Sequence, residues 1–140
     1  MDDTKHQIGL ILFPQLTQLD LTGPFEVLAR LPDAQVHLIW KDLDPVLSDV
    51  GLRILPPTTF TDCPDLDVIC IPGGPGMNDL LNDEEVLAFV RRQGANARFV
   101  TSVCTGALVL GAAGLLQGYK AATHWASMHF LESFGATPVN

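Results

Sequence analysis

Cysteine, basic residues and long apolar runs are all scarce in this chain of 140 residues, and each shortage removes a class of protein. Three cysteines, an odd and sparse set, do not make the disulfide framework of a small secreted domain. Eight Lys and Arg against sixteen Asp and Glu leave a formal net charge of −8, which disfavours nucleic acid and anionic membrane surfaces as partners. The longest uninterrupted apolar stretch, Ala107 to Leu116, contains two glycines and is too short to cross a bilayer. The start, Met1-Asp-Asp-Thr-Lys-His-Gln7, is polar and has no signal-peptide pattern, so the expected location is cytoplasmic. What is abundant is core material. Hydrophobic content of 47% with 17% charged residues predicts one compact domain over residues 1–140.

Apolar runs and helical spacings alternate along the chain. Ile8 to Phe13 is a nearly continuous apolar run, as expected of a strand covered on both faces, and Pro14 ends it. Leu21, Phe25, Leu28 and Leu31 follow at helical spacing, with Pro24 acceptable in a first turn. Val36 to Trp40 is a second strand. Two short β-like stretches, Val46-Leu-Ser48 and Leu52-Arg-Ile-Leu55, flank Asp49-Val-Gly51 and predict a small hairpin excursion around residues 45–56. Asp67 to Ile71 is a buried strand ending at Pro72-Gly-Gly-Pro-Gly76. Asp83 opens a helix with Val86, Leu87 and Val90 on one face. Phe99 to Val103 is a further buried strand, Gly106 to Gly114 a helix, Lys120 to Thr123 a short strand, and His124 to Phe134 a last helix. Strands alternating with helices predict an α/β fold, a parallel sheet with helices on both faces. Another strand begins at Thr137-Pro-Val-Asn140, so the domain is expected to lack its C-terminal elements.

Cys104 falls where a strand ends and a helix begins, a junction at which α/β proteins expose a strained nucleophile. The positive end of the helix and the free N–H groups of its first turn favour a thiolate there. The plainer alternative is a packed thiol, since cysteine is among the most buried residue types. Asp20, after the first strand, is either the N-cap of its helix or a carboxylate that exchanges a proton with the thiol. The loop Gly73-Gly74-Pro75-Gly76 lacks the Lys-Ser/Thr of a phosphate cradle and the spacing of a dinucleotide fingerprint. It is either a tight turn or a place where the Gly74 and Thr105 amides meet a small anionic intermediate. These three loops share the carboxyl ends of the strands, where open parallel sheets bind ligands. His124 either caps its helix or approaches the same site. Cys63 and Cys70 read as structural, His6 as terminal and His37 as a strand residue. His124 and His129 lie five apart on different helix faces, so no metal site is expected. Trp40 and Trp125 are read as packing residues.

Leu19-Asp20-Leu-Thr-Gly-Pro24, Ile71-Pro-Gly-Gly74, Val103-Cys104-Thr-Gly106 and Thr123-His-Trp125 together resemble the ThiJ/PfpI branch of the class I glutamine amidotransferase-like superfamily. The motifs run in order along essentially the whole chain. The resemblance implies a flavodoxin-like sandwich, a nucleophile elbow at Cys104 and a homodimer. An aspartate in the first loop with Cys-Thr-Gly is most similar to the isonitrile hydratases, which add water to an isocyanide without metal or cofactor. Taken with the reading of the loops, Cys104 and Asp20 are the expected catalytic residues, Gly74 and Thr105 the expected contacts of the intermediate, and His124 a supporting residue. Thr105 stands where protease-like members carry histidine, which weakens a peptidase reading. A redox-sensing or small-molecule-binding module and a glyoxalase-like thiol enzyme remain alternatives on the same scaffold.

Overall fold

The structure, a computed structural model, describes residues 5–140; the first four residues of the polar start lie outside the described residues. β1 (His6–Ile11) is buried along its apolar part, and α1 (Gln18–Leu28) returns the chain to β2 (Ala34–Trp40). The hairpin follows as expected, β3 (Val46–Leu47) antiparallel to β4 (Arg53–Ile54). β5 (Thr58–Thr59) and β6 (Val68–Ile71) rejoin the main sheet. Next come α2 (Met77–Leu80), α3 (Glu84–Asn96), β7 (Phe99–Ser102) and α4 (Gly106–Ala112). β8 (Lys120–Ala121), a 3₁₀ helix (Trp125–Phe134) and β9 (Thr137–Pro138) complete the chain, with β8 and β9 paired in parallel apart from the main sheet.

The main sheet has the order β5-β2-β1-β6-β7 with every pairing parallel. From β1 the chain winds one way to β2, and from β6 the other way to β7. Right-handed crossovers therefore put α1 and α3 on opposite faces. The reversal falls between β1 and β6, and the crevice beyond their carboxyl ends is where such sheets bind ligands. Leu10, Ile11, Ile39, Ile69 and Ile71 form the middle of the core at 0% exposure, so the strands that carry the site loops are firmly held. Asp83 caps α3 by accepting the Val86 N–H at 3.3 Å. Phe89 of α3 stacks on Phe60 at 4.3 Å.

Four expectations need correction. β7 is not buried: among the described residues it has a strand on one side only, and Phe99 is 59% exposed. Its residues suit a central strand equally well, and only the sheet order makes it an edge. α1 begins at Gln18, so Pro24 is its seventh residue and not in its first turn. Leu31 lies beyond that helix and is exposed. Trp125 is 81% exposed and does not pack into the core, whereas Trp40, at 8%, meets Phe60 edge-on. The strand β5 and the single turn α2 are too short to leave a periodic signal.

Candidate active site

Cys104 has φ 53°, in the left-handed region that a side chain other than glycine's rarely occupies. Such strain persists only where the surroundings over-determine it. Here they do. The Val103 N–H donates to the Ile71 carbonyl at 2.9 Å, the Gly106 N–H donates to the Val103 carbonyl at 3.0 Å, and the Thr123 hydroxyl donates to the Cys104 carbonyl at 2.8 Å. The thiol is half-buried at the strand-to-helix junction, as the nucleophile reading requires, and it is unpaired with any other cysteine.

The glycine loop comes down onto this elbow. A Cβ on Gly73 would stand 2.8 Å from the Thr105 nitrogen and 2.9 Å from the Cys104 Cβ, so only glycine leaves room there. Gly74 has φ 134°, and its N–H donates to the Thr105 hydroxyl at 3.1 Å. That amide is engaged. It can meet an intermediate only by giving up Thr105 Oγ1. The Thr105 N–H meets no acceptor among the described residues. Thr17 ties the first loop to the same place, its N–H donating to the Gly73 carbonyl at 2.9 Å.

A cavity of about 440 Å³ opens over the elbow. Cys104, Thr105, Gly74 and His124, all singled out from the sequence, line it. So do Thr17, Met77, Asn78, Ser127 and Phe130, which the sequence did not offer. Their elements are a loop, a four-residue helix and a 3₁₀ helix, none with a pattern that announces a site. The polar lining comes from hydroxyl, amide and imidazole groups. His124 does both things expected of it. Its Nδ1 accepts the Ala126 N–H at 3.2 Å and caps the 3₁₀ helix, and the ring borders the cavity.

Asp20 is not among the residues lining that cavity. Nor is it a helix cap: Thr17 holds the N-cap position, and Asp20 lies inside the first turn with its N–H on the Thr17 carbonyl at 3.0 Å. Its Oδ2 is buried, and no donor among the described residues meets it. A carboxylate oxygen in that condition is costly, and such groups call for an explanation.

The other two cysteines behave differently. Burial pushes the Cys63 thiol up to about 11, with Arg92 pulling it down and Asp65 adding to the rise. Burial also raises the Cys70 thiol, against a hydrogen bond from Thr101 and with the charge of Asp20 adding to the rise. Both thiols stay protonated at neutral pH, in keeping with a structural reading. His37 is held by Gln7, its Nε2 standing 2.6 Å from Gln7 Oε1. Among the described residues no group of three or more His, Cys, Asp or Glu is placed to hold a metal ion.

The DJ-1/PfpI family pattern matches residues 6–139. An isonitrile hydratase of Pseudomonas putida is 65% identical over 133 residues, which are 95% of this chain and 58% of that protein. The glutathione-independent glyoxalase DJR-1.2 of Caenorhabditis elegans is 29% identical over 112 residues, 77% of this chain and 60% of that protein. A crystal structure of a ThiJ/PfpI family protein from Pseudomonas syringae superposes with a TM-score of 0.95 at 46% identity, covering 97% of this chain and 57% of that one. The chain thus spans somewhat more than half the length of these relatives.

Proposed function

Because this chain belongs to the DJ-1/PfpI family, we propose that it is the nucleophile-bearing part of an isonitrile hydratase, acting without metal or cofactor. The 65% identity to the Pseudomonas putida hydratase carries this reading. The strained, cavity-lining Cys104 supports it.

The Cys104 sulfur attacks the terminal carbon of the isocyanide. A proton delivered to that carbon completes an enzyme-bound thioimidate, R–N=CH–S. Water then adds to the carbon, the nitrogen takes a proton, and the C–S bond breaks to give R–NH–CHO and the free thiol. One carboxyl group can supply the first proton and take one from the water. Asp20, with its unpartnered Oδ2 one helical turn from the cavity-lining Thr17, is that group in this proposal. The tetrahedral adduct places an oxygen where the Thr105 N–H can stabilise it, with Gly74 as the second donor once Thr105 Oγ1 is released. His124 supports the wall by capping its helix.

Homodimer formation belongs to the same proposal. Leu43, Leu47, Val50, Leu52 and Leu55, in and beside the hairpin, are all exposed and offer an apolar strip for a second copy. A cytoplasmic setting is also proposed; no helix among the described residues is long and apolar enough to cross a membrane.

Incubation with benzyl isocyanide tests the reading. N-benzylformamide should accumulate, an adduct on Cys104 should appear by intact mass, and Cys104→Ala should form neither. Lactate from methylglyoxal without formamide would instead favour the glyoxalase reading, which the Caenorhabditis elegans relative keeps in play.

A further inference from the structure

We infer that Thr123 is a positioning residue whose hydroxyl, by holding the Cys104 carbonyl, aims the Thr105 N–H at the reacting oxygen. The inference rests on the hydratase reading for the identity of that oxygen, but not for the geometry.

The Thr123 Oγ1 donates to the Cys104 carbonyl oxygen at 2.8 Å, across nineteen positions of sequence. That carbonyl and the Thr105 N–H belong to one peptide unit. The unit is planar and trans, so its C=O and N–H point in opposite directions. A bond that fixes the carbonyl therefore fixes where the N–H points. Cys104 has a left-handed φ, so ordinary strand or helix geometry does not set the direction of the peptide that follows it, and the Thr123 bond does. The space beside the N–H has been kept clear as well: a Cβ on Gly73 would come within 2.8 Å of the Thr105 nitrogen. Thr123 also precedes His124, whose ring caps the helix bearing Ser127 and Phe130. The cavity wall and the nucleophile's peptide are thus joined through one hydroxyl.

Thr123→Val preserves shape and deletes the donor, whereas Thr123→Ser keeps the donor. With benzyl isocyanide as the probe, Thr123→Val should lower kcat by about 10- to 100-fold, the scale of a misaimed or lost donor, with KM nearly unchanged. Thr123→Ser should stay within about threefold of the parent. Alkylation of Cys104 by iodoacetamide needs no oxyanion donor and should proceed at the parent rate in both. The ¹⁵N–¹H resonance of Thr105 should move in the valine variant and not in the serine variant. Full kcat in Thr123→Val, failure of serine to rescue, or alkylation falling in step with kcat would each overturn the inference. If the parent protein turns over no isocyanide, the hydratase reading fails on its own, and an unmoved Thr105 resonance then decides against Thr123. Should Thr123→Val not fold, Thr123→Ala carries the same comparisons.

Discussion

Gly106 stands so close to the end of β6 that a Cβ there would lie 2.0 Å from the Ile71 carbonyl oxygen. The same oxygen accepts the Val103 N–H, so the elbow is clamped to β6 on both sides of Cys104. Close approach of α4 is what lifts the thiol to the top of the sheet.

Gly106→Ala should therefore be severely destabilising. The obstructing atom is backbone and cannot swing aside as a flexible side chain would. A loss of about 3 kcal/mol, at the upper end for overpacking, is expected in urea denaturation. Isocyanide turnover should fall in whatever fraction remains folded, because any relief must shift the elbow.

Cys104 itself offers a test that separates strain from chemistry. Cys104→Ala and Cys104→Gly should both abolish turnover, yet glycine tolerates φ 53° without penalty and alanine does not. The glycine variant should be the more stable of the two by about 1 kcal/mol. Equal melting temperatures would mean that the elbow is not strained.

Much of this architecture was legible from residue patterns alone. Ile8 to Phe13 and Asp67 to Ile71 are too apolar to be anything but covered strands, and Asp83 before Val86, Leu87 and Val90 marks a helix start that the structure reproduces. The placement of Cys104 between a strand and a run of small residues pointed to the elbow. Position across the sheet was not legible. Nothing in Phe99-Val-Thr-Ser102 says that no further strand of the described residues lies beyond it, and nothing in Trp125 says that it faces water. Asp20 showed the limit of local reasoning, since a helix starting three residues earlier than Leu21 turns a cap into an interior residue. The cavity wall from Ser127 and Phe130 depends on how the last helix folds back, which is a tertiary fact.

The Lys41–Asp83 pair ties the end of β2 to the cap of α3 and sets a pH window. The hydrogen bond to Asp83 raises the Lys41 ammonium group. Burial alone would raise the Asp83 carboxyl, but hydrogen bonds from Lys41 and the Val86 N–H, with the lysine's charge, hold it below the usual range. The carboxylate contribution is present above an unfolded value of about 4 and is lost as pH falls through the lower folded value. The lysine contribution is present below about 10.4 and is lost as pH rises through the higher folded value. Lys41→Met should cost about 1 kcal/mol between these limits and flatten both flanks of the stability profile. A profile unchanged in shape would show that the pair does not govern either flank.

The sharpest test concerns Asp20. Because Thr17 occupies the cap, Asp20→Asn cannot be silent merely through asparagine's skill at capping. The substitution keeps the volume and puts an amide where a buried oxygen has no donor. It also removes a negative charge from the first turn of α1, worth less than about 1 kcal/mol. Stability should therefore change little. If Asp20 moves the proton, isocyanide turnover should fall by roughly 10²–10⁴-fold, the usual worth of a positioned acid or base. Its absence from the cavity lining makes this an exacting test. A proton donor must come within hydrogen-bond reach of the carbon it protonates, directly or through one water. Near-normal turnover in Asp20→Asn would mean that the carboxyl is held back from the reacting carbon, and that water in the cavity, not Asp20, protonates the adduct on Cys104.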